Sequence, residues 1–141
     1  MSGPSVAGPA GTHPTAGIVN TRSPHNVSET VSILSIEIAG AGATMFAVVD
    51  HSGEAARVGL SLRDTKLLIF GNPKGGTPVM QAAPLAAIDL PLKLLVWTDG
   101  DQSLISYTDP AALAARYGLS DELTTPLAGV VAIADAALAA T

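Results

Sequence analysis

The sequence predicts an α+β (mixed α/β) domain, a compact two-layer arrangement in which a small sheet containing a hairpin packs against helices. Three observations carry this reading. The chain has 141 residues, 48% of them hydrophobic, which is one ordinary domain with room for a single core. Apolar runs rich in β-branched residues alternate with segments that open on helix-capping residues and close on glycine, so strands and helices interleave. One pair of runs, Leu92 to Trp97 and Ser103 to Tyr107, is separated by Asp99-Gly100-Asp101, a hairpin turn.

Residues 1–16 are spaced with Gly and Pro among small residues and hold little apolar area to offset ordering entropy, so they read as a flexible arm before a single domain at 17–141. Ile18 and Val19 predict a short strand within Gly17 to Thr21, closed by Ser23-Pro24. Asn26 or Ser28 offers an N-cap with Glu29 in the first turn, and Val27, Val31, Leu34 and Ile38 repeat at helical spacing as far as Gly40 or Gly42. Thr44 to Asp50 reads as a strand buried on both faces. Ser52 to Gly59 reads as a short helix with Ala55, Ala56 and Val58 inside. Lys66 to Gly71 is a second apolar strand. Asn72 to Pro78 is a dense turn signal, after which Thr77-Pro78 predicts a helix start running to about Ala83.

After the hairpin, Asp109-Pro110, Ala111 to Tyr117 and Gly118 supply an N-cap, a proline at the first helical position, a helix and a glycine stop in order. Ser120 opens the last segment. Pro126 makes an unbroken helix from Asp121 costly by about 3 kcal/mol, so a break at Thr125 and a fresh helix from Pro126 to Ala139 are expected, with Leu127, Val130, Val131, Ala134 and Leu138 as its apolar stripe.

Composition excludes several classes of function. Seven Lys and Arg against 12 Asp and Glu give a net charge of −5, the wrong sign for a phosphate-binding surface, so no nucleic-acid partner is expected. With no cysteine, disulfides, thiolate metal sites and cysteine nucleophiles are impossible. The N-terminal residues lack the basic and apolar regions of a secretory signal, and the charge-free window Gly75 to Ile88 is broken by Pro78 and Pro84. A cytoplasmic chain with no membrane association is the resulting expectation. Gly71 to Gly76 has phosphate-loop glycine spacing, but Thr77 occupies the lysine position. His13, His25 and His51 form no ligand pair, so no metal and no cofactor are predicted.

What remains is a set of polar residues at the ends of apolar strands: His51, Asn72, Lys74, Asp89, Lys93 and Tyr107. If the strands ran parallel, the Asp50-His51 end and the Asn72 loop would meet at one sheet edge, the usual ligand position in such folds. As an imidazole, His51 suits a proton shuttle oriented by Asp50 or Asp89. Its plain alternative is a backbone or capping contact, as Asn72 and Thr77 suit turn and cap roles. Asp89 and Lys93 interrupt apolar stretches, where an ion pair between them or across a dimer interface is the structural expectation. Lys93 would otherwise be an anion holder or an amine nucleophile. Trp97 and Met80 read as core or interface anchors.

The blocks Asp50-His51, Thr65 through Phe70, Gly71-Asn72-Pro73-Lys74, Gly76-Thr77-Pro78, Asp89-Leu90-Pro91-Leu92-Lys93 and Val96-Trp97, continuing into Tyr107-Thr108-Asp109-Pro110, resemble the domain-of-unknown-function 302 family over Thr21 to Leu119. The resemblance implies a small α/β domain, commonly a homodimer, without an established activity. The chain departs from that pattern at Tyr117, where many relatives carry histidine before Gly118. The expectation is therefore a homodimeric module binding a small polar or anionic ligand. Two alternatives stand beside it: an enzyme with His51 as general acid or base and Lys93 as electrostatic stabiliser, and a structural or protein-interaction module.

Overall fold

A computed structural model describes residues 15–140. All but the last two residues of the predicted arm, and Thr141, lie outside the described residues.

The strands are β1 (Ile18–Ser23), β2 (Thr44–Asp50), β3 (Thr65–Gly71), β4 (Leu92–Asp99) and β5 (Gln102–Thr108). They form one sheet in the order β1-β5-β4-β3-β2, with every neighbouring pair antiparallel. The helices are α1 (Val27–Gly40), α2 (His51–Arg57), α3 (Pro73–Ala82), α4 (Pro110–Tyr117), α5 (Asp121–Thr124) and α6 (Gly129–Ala139), with 3₁₀ turns at Pro84–Ile88 and Thr125–Ala128. The predicted α+β class holds, hairpin included: Asp99 pairs with Gln102 across Gly100 and Asp101, and Gly100 takes the positive φ of 61° that the tight turn requires.

Local capping explains where α1 and α4 begin. The Asn26 side chain accepts from the Glu29 amide at 2.8 Å while the Glu29 carboxylate accepts from the Asn26 amide at 3.2 Å, a reciprocal box that satisfies two otherwise orphaned donors. The Asp109 carboxylate caps α4 through the Ala111 amide, and Gly118 ends it in the left-handed region. Helices α1 and α6 pack together on one face of the sheet. Leu34 and Ile38 of α1 and Val130, Ile133 and Ala134 of α6 bury against Leu68, Phe70, Leu94 and Val96. Each of these side chains except Ala134 contributes roughly 1.5–3 kcal/mol on leaving water. A smaller cluster, Val79, Ala86, Leu113 and Leu127, joins α3, α4 and the two 3₁₀ turns.

Four local expectations need correction. Strand β2 is an edge strand, not one buried on both faces: Phe46 is 52% and Val48 46% exposed, and a register shift between Met45 and Ala47 sets Phe46 out of the ladder. Helix α2 buries no residue, and Val58, which follows it, is 72% exposed. Helix α3 starts at Pro73, five residues before the expected first helical residue Pro78. There the Asn72 side chain accepts from the Lys74 amide at 3.0 Å and proline fills the first helical position, which leaves Pro78 inside the helix. The break near Pro126 is present as a 3₁₀ turn, so α6 begins at Gly129. The helical run Asp121–Ala139 is long and apolar enough, by length and composition, to cross a membrane. In this fold its apolar side is the side that packs on α1 and β4.

Candidate functional site

The antiparallel order separates residues that a parallel sheet would have gathered. Asp50 pairs with Lys66 at one end of the β2–β3 ladder, while Gly71, just before Asn72, pairs with Thr44 at the other. His51 therefore lies at the opposite end of the sheet from Asn72 and Lys74. It is exposed, at the start of α2, and Asp50 is occupied as that helix's N-cap through the Gly53 amide. Because Lys66 is level with Val96 and Ile69 with Lys93, His51 sits beyond a point about three residues along and two strands across from Lys93. Strand rise and spacing make that roughly 14 Å. A proton shuttle and an electrostatic stabiliser need to meet at one reacting group, and these two do not. Asn72 is the α3 cap and, with Thr77, borders a cavity of about 190 Å³ lined chiefly by Phe46, Met80, Leu90 and Pro91. Lys74 is exposed.

Asp89 and Lys93 are brought together, though not as the expected ion pair. The Lys93 ammonium donates to the backbone carbonyls of Asp89 at 3.3 Å and Pro91 at 2.9 Å. The Asp89 carboxylate instead accepts from the Tyr117 hydroxyl and pairs with Arg116 at 3.2 Å. The turn that carries both residues has a cis peptide at Leu90-Pro91. Burial pulls the Lys93 ammonium below its ordinary value, against the opposing pull of the nearby Asp89 carboxylate.

Alternation along β4 places Lys93, Leu95 and Trp97 on the face opposite the α1–α6 layer, since Leu94 and Val96 are in the core. Leu67 stands beside Leu95 on β3, Ser106 on its other side on β5, and Asn20 beyond Ser106 on β1. This face carries an open cavity of about 440 Å³. The Trp97 indole donates to the Ser106 hydroxyl at 2.9 Å, and that hydroxyl donates to the Asn20 side-chain oxygen. Arg63 stacks over the Trp97 ring, 5.9 Å from its centroid. The aromatic ring is thus fixed at one end of the cavity and the ammonium at the other.

Among the described residues that line this cavity Lys93 is the single charged one; the rest are apolar or neutral polar. It also lines a smaller cavity of about 160 Å³ beside Asp89 and Leu113. Tyr107 borders the larger cavity, but its ring belongs to the core cluster, and its hydroxyl is pushed up by burial and by the carboxylates of Asp135 and Asp109. Sequence reasoning missed Tyr117 and Arg116 as partners of Asp89, and Asn20, Leu67, Leu95, Trp97 and Ser106 as one face. The available signal was the alternation 93, 95, 97, hidden because positions 94 and 96 are equally apolar.

Residues 19–139 match the family described as domain of unknown function DUF302. The chain is 39% identical over 105 residues to proteins named fluoride-specific ion channel FluC 1 from Brucella suis biovar 1 (strain 1330) and from Brucella abortus biovar 1 (strain 9-941). Those matches cover 74% of this chain and 41% and 39% of the two relatives, so the chain spans about two fifths of their length. A crystal structure of an uncharacterized conserved DUF302 protein from Bacillus stearothermophilus superposes with a TM-score of 0.74 at 18% identity, covering 89% of this chain and 98% of that one.

Proposed function

The chain belongs to the DUF302 family, and from that premise we propose that it is a small-molecule-binding domain, acting as a homodimer, that holds an anionic ligand at Lys93 on the open face of its sheet. The observation that carries this reading is the charge pattern. In a chain of net charge −5, one of the described residues lining the 440 Å³ cavity on this face is charged, and it is a cation. Its size falls within the roughly 300–1,000 Å³ of ligand pockets, and its apolar floor with few polar groups is their usual composition. Of the three donors of a lysine ammonium, two of Lys93 are taken by the carbonyls of Asp89 and Pro91, which orient it and leave the third for a ligand.

Native mass spectrometry of protein purified without denaturant tests both parts of the reading. A dimer carrying an added mass that disappears in Lys93→Met supports it. A bare monomer that binds no small organic acid on titration removes it.

The identity with the fluoride-channel proteins supports a second reading, that the domain works beside a membrane anion channel and that fluoride itself is the anion at Lys93. An open five-stranded sheet has two unpaired edges and is no closed barrel, so in those relatives conduction would fall to the part this chain does not match. Titration with fluoride, followed by ¹⁹F resonance shift with chloride as competitor, tests it: a saturable shift that is lost in Lys93→Met and that equal chloride does not displace supports this reading, and the absence of a saturable shift, or its displacement by equal chloride, removes it.

A further inference from the structure

The shape of the open face carries more than the charge at its end. Lys93, Leu95 and Trp97 project from alternate positions of one strand, with Leu67 beside Leu95, so the floor between cation and indole is apolar. Four residues of β-strand separate Lys93 from Trp97, a span of about 13 Å. An inorganic anion would leave that floor in water, and a neutral apolar molecule would leave the ammonium with one donor unused. Among the described residues that line the cavity, none is a carboxylate that would repel an acid. At the far end the indole N–H donates to Ser106, so what Trp97 contributes to the cavity wall is aromatic surface, not a polar group.

We propose that the ligand is an amphipathic monocarboxylate, an unbranched acyl chain or arylalkyl acid, laid along β4 with its carboxylate at Lys93 and its apolar body over Leu95 and Leu67 toward Trp97. This rests on the anion-binding reading and specifies its ligand class. Three bonds of an extended chain advance about 3.8 Å, so spanning the site takes an acid of roughly ten bonds. The carboxylate receives a charge-assisted hydrogen bond from the third Lys93 donor, and each methylene laid on the floor adds transfer energy, so affinity rises with chain length until Trp97 is covered.

Trp97 is the only tryptophan in the chain, and its emission therefore reports on this face alone. Fluorescence titrations with acetate, hexanoate, decanoate and decanol, each below its micelle concentration, test the proposal. Decanoate is expected to shift the emission saturably, to bind at least tenfold tighter than hexanoate and tenfold tighter than decanol. Lys93→Met should abolish the preference for acid over alcohol while Lys93→Arg keeps it, and Leu95→Ala should weaken decanoate without altering acetate. If acetate competes at Lys93 and affinity does not grow with chain length, the ligand-class proposal falls and the anion site stands. Equal binding of decanol and decanoate overturns both, as does the absence of any binding by acids of every length to protein whose circular dichroism is native.

Discussion

Asp89 and Lys93 stand four residues apart around one turn, yet the ammonium rests on Asp89's carbonyl oxygen and the carboxylate faces the other way, to Tyr117 and Arg116. The turn is consequently a joint with two jobs. On one side it orients Lys93 toward the open face of the sheet, and on the other it ties β4 to α4, whose N-cap follows directly from β5. A direct Asp89–Lys93 ion pair would have neutralised the cation and spent it on structure alone.

The Asp89–Tyr117 contact should behave as one unit. Tyr117→Phe and Asp89→Asn are each expected to lower the melting temperature, and the double variant to lower it by clearly less than the sum, because residues sharing a hydrogen bond couple. Neither change touches the ammonium's carbonyl partners, so acid binding followed at Trp97 should persist in both. Additive melting temperatures would show that the two side chains stabilise the fold separately.

Adjacent glycines in α3 should respond to alanine with opposite signs. A Cβ on Gly75 would lie 2.8 Å from the Pro126 Cβ, a backbone-anchored ring that cannot swing aside, whereas a Cβ on Gly76 meets nothing nearer than the flexible end of Met80 at 3.8 Å. Gly76→Ala is therefore expected to stabilise by about 0.4–1 kcal/mol through the unfolded chain's lost freedom. Gly75→Ala should destabilise by about 1–3 kcal/mol through overpacking between α3 and the 3₁₀ turn. Urea unfolding midpoints decide both; a stabilised Gly75→Ala would mean that the two elements are not held in contact.

The Asn26–Glu29 box at the head of α1 gives a prediction for the main core. Asn26→Ala removes the acceptor for the Glu29 amide and should cost about 1 kcal/mol. Asn26→Asp should restore most of it, since aspartate caps equally well and its charge suits the helix N-terminus. Thermal melts of the three proteins measure this directly.

Those features were legible because each is written within a few residues: the capping box, the Asp109-Pro110 start with its Gly118 stop, the Gly100 hairpin. The sheet order was not, because antiparallel and parallel neighbours use the same apolar runs, and on that choice hung the placing of His51 with Asn72. Strand β2 shows the same limit: Phe46 and Val48 are as apolar as a buried strand requires, and only its edge position exposes them. Of the six candidate residues, Asp89 and Lys93 stand out in the sequence as charges within apolar stretches, the signature of a polar group the fold must provide for. Their true partners were hidden by distance, since Tyr117 lies on another helix and the cavity floor alternates with core.

Two groups should give stability opposite pH dependences in the alkaline range. Burial holds the Lys93 ammonium below its ordinary 10.5, so between its folded value and 10.5 the unfolded chain binds more protons and stability rises with pH. Burial with the Asp135 and Asp109 carboxylates holds the Tyr107 hydroxyl above its ordinary 10.0; above that pH the unfolded chain ionises first and stability falls as pH climbs toward the folded value. Tyr117, raised by its hydrogen bond to Asp89, acts in the same direction as Tyr107. Urea midpoints measured between about pH 8 and 11 should lose their rising component in Lys93→Met and part of their falling component in Tyr107→Phe. Carboxylate binding must run against the first of these trends, because the ligand needs the charged ammonium that folding disfavours. Decanoate affinity should therefore decline through the same window in which the unliganded fold gains stability, and an affinity constant across it would remove Lys93 from the ligand's headgroup.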